Sequence, residues 1–107
     1  MSEIIYKFVE PYEKVIRDFY NTNNNSNIEL FNEKNQKVSF SQVAIIPINN
    51  SFYMILLPID KMEGFGENEG VIFEIKTINN IGKCLSLVLD SKTIDVVFDE
   101  YERLSKL

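Results

Sequence analysis

The chain contains no histidine, no tryptophan and one cysteine, Cys84, among its 107 residues. Lack of histidine removes the commonest general base, the usual partner of an activated nucleophile and a favoured zinc ligand together, so catalysis is not expected and no cofactor is implied. A lone cysteine excludes an intramolecular disulfide and suits a reducing compartment. No base or helix terminus is recognisable beside Cys84 to lower its pKa, so it reads as a strand thiol in or near the core. Of only four glycines, Gly64 and Gly66 flank Phe65 in a segment too short, and too poor in following Lys-Ser/Thr, to cradle a phosphate. The longest apolar run, Phe52 to Ile59, falls far short of the roughly 20 residues that cross a bilayer, and Met1-Ser2-Glu3-Ile4-Ile5-Tyr6-Lys7 lacks a basic start followed by a long apolar stretch. A cytoplasmic protein without membrane insertion is the expectation.

Basic residues are also scarce: 11 Lys and Arg stand against 16 Asp and Glu, for a formal charge of −5. With no basic cluster to neutralise a phosphate backbone, direct binding to nucleic acid is not expected. The eight Phe and five Tyr lack interleaved Arg and Lys, which favours core packing over a base-stacking platform. The acidity is concentrated, since Asp60, Glu63, Glu67, Glu69 and Glu74 against Lys61 alone leave −4 within residues 60–74. At 45% hydrophobic and 25% charged, the chain can bury one core, so residues 1–107 read as a single domain with a radius of gyration of about 13 Å.

Ile4, Ile5, Phe8, Val9, Tyr12, Val15, Ile16 and Phe19 recur at helical spacing, but Pro11 would remove a donor and clash one turn back. The spacing therefore predicts a helix over 11–21, with residues 2–9 either a kinked extension or a short strand. Residues 21–27 form an Asn-rich linker, so 1–27 are helix plus linker and 28–107 a sheet plus a second helix. From Ile28 the period is two. Strands are predicted at 28–31, 38–48, 52–59, 71–78 and 84–89. Val38, Phe40, Ala44 and Ile46 share one face of the second of these, and Asn49-Asn50 make a two-residue type I′ turn. Pro47 is placed opposite Phe52 and Pro58 opposite Ser41, where neither needs a ladder donor within that hairpin. In the last strand Leu85, Leu87 and Leu89 are expected on the buried face, with Cys84, Ser86 and Val88 on the other, so Ser86 should tolerate a charge. Asp90 or Ser91 can cap a helix over 91–105, whose apolar face is Ile94, Val97, Phe98, Tyr101 and Leu104. The expected fold class is α+β: an antiparallel meander sheet of four to five strands with an N-terminal and a C-terminal helix packed on it.

Residues 52–59 are apolar on both faces, Phe52, Met54 and Leu56 on one and Tyr53, Ile55, Leu57 and Ile59 on the other. Such a strand needs cover twice. The C-terminal helix supplies one cover; the N-terminal helix or a second copy of the chain must supply the other, and a homodimer is the favoured outcome.

The stretches Ile28-Glu29-Leu30-Phe31-Asn32-Glu33-Lys34-Asn35-Gln36-Lys37-Val38-Ser39-Phe40, Ser51-Phe52-Tyr53-Met54-Ile55-Leu56-Leu57-Pro58-Ile59-Asp60 and Gly70-Val71-Ile72-Phe73-Glu74-Ile75 resemble the domain-of-unknown-function 1292 family of small bacterial proteins. The likeness spans about residues 28–107. It implies the order strand, turn, strand, a Tyr-apolar-apolar-apolar-Pro-apolar-Asp segment, acidic loop, aromatic-containing strand and C-terminal helix, and it implies no activity.

Asp60, Glu63, Glu67 and Glu69 form the one chemically suggestive group, since four carboxylates could serve a hard cation, although their spacing fits no EF-hand. The alternative is a solvated loop whose charges protect sheet edges from aggregation. Phe65 either folds back onto the core or stands out as a partner anchor. Asp60, Glu63, Phe65, Glu67 and Glu69 are thus the candidate partner-binding residues. The leading expectation is a small non-enzymatic protein-interaction or regulatory domain with a protein partner. The alternatives are an acidic decoy for a nucleic-acid-binding host or phage factor, and a metal-dependent enzyme using residues 60–69.

Overall fold

In a computed structural model of the protein, residues 3–21, 27–66 and 68–107 are described. Six strands and two helices follow in the order β1 (Ile5–Phe8), α1 (Tyr12–Asn21), β2 (Asn27–Phe31), β3 (Lys37–Ile48), β4 (Ser51–Pro58), β5 (Val71–Ile78), β6 (Gly82–Leu87) and α2 (Ser91–Ser105). Each strand pairs antiparallel with its neighbour in sequence, and β1 also pairs with β6, so the sheet closes into a barrel.

Closure corrects the expected open sheet of four to five strands. Of the two readings of residues 2–9 the short strand holds: residues 5–8 are a strand and not a helix extension, and that strand is the stave joining the two sheet edges, with Tyr6 opposite Leu85 and Phe8 opposite Leu30. The driving chemistry is period two, not helical: Ile4, Tyr6 and Phe8 pack on the barrel interior while Lys7 is exposed. Pro11 separates this strand from α1. Its carbonyl accepts the Val15 N–H at 3.1 Å, so the proline precedes the helix and sacrifices no helical bond. The Phe8 and Tyr12 rings meet edge-on at 5.4 Å across the bend.

Inward faces of all six strands supply the core. Tyr6, Ile28, Leu30, Phe40, Met54, Leu56, Val71, Phe73 and Leu85 are buried there, joined by Val15 from α1. Tyr6, Phe40 and Phe73 make a three-ring cluster with edge-on contacts at centroid separations of 5.0 to 6.4 Å, a geometry that aromatic quadrupoles favour. A second apolar layer lies outside the barrel, where Ile46, Ile55 and Ile72 meet fully buried Val97 of α2, flanked by Ile94, Phe98, Tyr101 and Leu104. All five α2 residues are those of the expected face. Its N-cap is Asp90, whose Oδ2 accepts the Thr93 N–H at 2.9 Å and the Thr93 hydroxyl at 2.7 Å. Gly70 allows this contact, because a Cβ there would come within 3.2 Å of Phe98 Cζ and 3.3 Å of Ile55 Cγ2.

The middle of both apolar faces of β4 is therefore covered within one chain, Met54 and Leu56 by the barrel interior and Tyr53 and Ile55 by α2, while Phe52 at its start and Ile59 just beyond its end are exposed. Neither α1 nor a second copy is needed as a lid over a flat sheet, and the radius of gyration is 13.3 Å.

Four local expectations also change. A bulge between Gln42 and Ala44 shifts the register of β3, so Val38 and Phe40 face inward whereas Ala44 and Ile46 face α2. The same shift moves Pro58 opposite Phe40 in place of Ser41, while Pro47 stays opposite Phe52. The Asn49-Asn50 turn is present, but only Asn49 has positive φ (54°), which excludes type I′. Finally, Leu89 is 60% exposed and Ser86 only 6%, because β6 stops at Leu87 and its outer face lies between β1 and β5. The linker expected at 21–27 falls mostly on residues 22–26, outside the described residues.

Candidate functional site: an apolar cleft at the barrel mouth

α1 follows from the far end of β1 and sets Val15 and Ile16 against the barrel core. At the opposite end, where β1 begins and β4 and β6 finish, a cleft of about 450 Å³ opens. Its apolar lining comes from Ile4, Tyr6, Val38, Phe40, Pro58 and Leu87 of the barrel, with Met62 and Phe65 from the loop after β4. Two chain segments make the rim. One is the β2–β3 turn, braced by Asn32, whose Oδ1 accepts the N–H groups of Lys34 (2.9 Å) and Gln36 (3.0 Å). The other is the acidic loop, whose start is fixed where the Ile59 N–H reaches the Ser39 carbonyl at 3.0 Å.

Within that loop the Phe65 N–H bonds the Met62 carbonyl at 3.2 Å, and Gly64 takes the left-handed φ of 87° that the turn between them requires. Met62 and Phe65 are thereby carried to the same side, against the core. Of the two readings of Phe65, folding back onto the core describes its position, and it lines the cleft from there. Asp60 and Glu63 are exposed residues of the cleft rim. Glu69 stands apart: its Oε1 accepts the Gly66 N–H at 2.7 Å and it does not line the cleft. Glu67 lies outside the described residues.

The rim also gathers Glu33 and Lys34 from the turn and Lys61 from the loop. Tyr6, 8% exposed, reaches the cleft from its floor; burial, with the Glu33 carboxylate second, pushes its phenol pKa up, so the hydroxyl stays protonated and available to donate. No local signal in the sequence joins Tyr6 to Glu33 and Phe65, since barrel closure alone brings them together.

Among the described residues no group of three or more His, Cys, Asp or Glu could hold a metal ion, so the acidic loop gives the cation reading no geometric support. Cys84 is fully buried on the outer face of β6, beside Lys76 and Lys7. Burial first and the Glu3 carboxylate second push its thiol pKa up, against the two lysines, which disfavours the nucleophilic thiolate. A second depression, of about 470 Å³, lies between the β3–β4 turn and α2, lined by Pro47, Ile48, Asn49, Val96, Asp99, Glu100 and Arg103. It has no aromatic lining, and two of its charges are already spent on each other, with Arg103 Nε 2.7 Å from Glu100 Oε1. No helix among the described residues is long and apolar enough to cross a membrane. No family model matches the chain, and no curated protein or solved structure shows significant similarity to it.

Proposed function

We propose that this chain is a small non-enzymatic protein-interaction or regulatory domain that takes its partner at the mouth of the barrel. One observation carries the reading: a cleft floored by Tyr6, Phe40 and Leu87, walled by Met62 and Phe65 and rimmed by Glu33, Asp60 and Glu63. Aromatic and Met side chains around a concave apolar floor, with charges confined to the edge, are the composition of a protein-binding hot spot. The chain's formal charge of −5, and a rim on which Glu33, Asp60 and Glu63 outnumber Lys34 and Lys61, favour a partner whose contacting surface is basic. Lack of histidine and a buried thiol with a raised pKa support a binding role over a catalytic one.

The test is capture from native cells by the tagged full chain, by an Asp60→Lys, Glu63→Lys variant and by an Asp99→Lys control beside the second depression. A partner that binds the mouth is lost with the first variant and kept with the control. The opposite pattern would move the interface to α2.

A further inference from the structure

β1 pairs with β6 over Ile5, Tyr6 and Lys7, but with β2 only over Lys7 and Phe8. Extending the β1–β2 register by two residues would set Ile5 opposite Glu33. At Glu33, however, the chain has already entered the turn held by Asn32, in which the Asn32 N–H bonds the Gln36 carbonyl at 2.9 Å. The two strands therefore part at the mouth. On the β6 side the Ile4 carbonyl accepts the Leu87 N–H at 2.9 Å. Across a trans peptide the following N–H points the opposite way, so the Ile5 N–H is aimed into the gap between β1 and the 32–36 turn. Among the described residues no backbone carbonyl accepts it. The barrel is closed at its waist and split along a short seam at its mouth, and the apolar cleft lies inside that seam, with Ile4 and Tyr6 on one lip and Asn32, Glu33 and Lys34 on the other.

An unpaired stretch of strand edge is matched chemically by another extended chain, whose main chain supplies the missing hydrogen bonds while alternate side chains face opposite sides. Here an inward side chain would meet Tyr6, Phe40 and Leu87, with Glu33, Asp60 and Glu63 at the rim above them. Resting on the reading that the mouth is the interaction surface, we infer that the partner's contact segment is an extended peptide that adds to the free edge of β1. It places an apolar side chain in the cleft and a lysine or arginine among Glu33, Asp60 and Glu63. The seam explains what the cleft alone does not, namely why the occupant is a strand: the body of a helix has its backbone donors and acceptors paired internally, and only its last turn has carbonyls free to meet Ile5.

The experiment selects displayed random short peptides against the full chain and measures enriched peptides on wild type, Ile5→Pro and Ile5→Ala. Proline removes the seam-facing N–H and no other backbone hydrogen-bonding group, Ile5→Ala controls for the lost side chain, and an edge strand tolerates proline where that N–H serves no ladder. Binding about tenfold or more weaker to Ile5→Pro, with Ile5→Ala close to wild type, is expected, a change of about 1.4 kcal/mol. Should Ile5→Pro fail to melt like wild type, peptides N-methylated at alternate residues, measured on the unaltered protein, give the same readout: one methylation phase loses binding and the other keeps it. Peptides that lose affinity on Asp60→Lys, Glu63→Lys yet ignore both Ile5→Pro and N-methylation would overturn strand addition while leaving the mouth as the interaction surface. No enrichment, or peptides sensitive only to Asp99→Lys, would overturn both.

Discussion

Tyr6 stands directly across from Leu85, and this pairing of the first strand with the last converts a sheet into a barrel. The Tyr6 ring then fills the interior between Phe40 and Phe73, at 6.4 and 5.0 Å. Tyr6→Ala should cost about 3–5 kcal/mol, the range for deleting a buried aromatic, measured by urea unfolding. Removing residues 1–21 should do more, exposing Leu30 and Leu85 along an opened seam. A truncated chain that stays monomeric, ignores a hydrophobic dye and melts like wild type would show that β1 does not close the barrel.

At β6 the expected contrast between neighbours changes. Leu87 packs on the interior, so Leu87→Asp should destabilise, as the alternation implies. Ser86→Asp should also destabilise, by several kcal/mol, because Ser86 is buried and its cross-strand partner Glu74 would face a second carboxylate. A Ser86→Asp variant with wild-type melting temperature would place that side chain in solvent.

These two residues show what the sequence could and could not carry. α2 was legible in bounds, cap and face, since fifteen residues give four turns of periodicity and Asp90 a local capping signal. Strands β2 to β6 were legible as elements. β1 was legible only as one of two readings, because four residues hold only two repeats: Ile4, Ile5, Phe8 and Val9 fit helical spacing while Ile4, Tyr6 and Phe8 alternate. The bulge at Val43 was hidden because residues 43–46 are apolar throughout, so no polar position marks the change of face. Closure itself depends on pairing residues about eighty positions apart. It also places the joining strand outside residues 28–107, the span in which the whole sheet was expected. Of the site, Asp60, Glu63 and Phe65 were visible as an acidic loop with one aromatic, while Tyr6 and Glu33 reach the cleft through tertiary structure alone.

Asp90 offers a pH test of the α2 cap. Hydrogen bonds from Thr93, side chain first and backbone second, hold its carboxyl below the usual aspartate value. A depressed folded-state pKa means the cap contributes fully above the unfolded value of about 3.9 and is lost as pH falls through the lower folded value. Asp90→Ala should therefore melt below wild type at neutral pH, and the gap should shrink as the buffer is taken into the acid range. A gap independent of pH would mean that the charge is irrelevant to the cap.

Calcium, magnesium or manganese should leave the melting temperature unchanged, since Asp60, Glu63 and Glu69 do not converge with other ligands among the described residues. A cation that binds only the folded chain must raise it, so a concentration-dependent rise would restore a metal role for the acidic loop.

The most direct measurement of the interaction role is amide hydrogen exchange on the full chain, free and saturated with the protein captured from native cells. Slowed exchange is expected at residues 4–6, 32–36 and 59–66, three of the segments that line the mouth, with α2 unchanged. Protection confined to α2 and the Asn49-Asn50 turn, with the mouth exchanging as in the free protein, would contradict it.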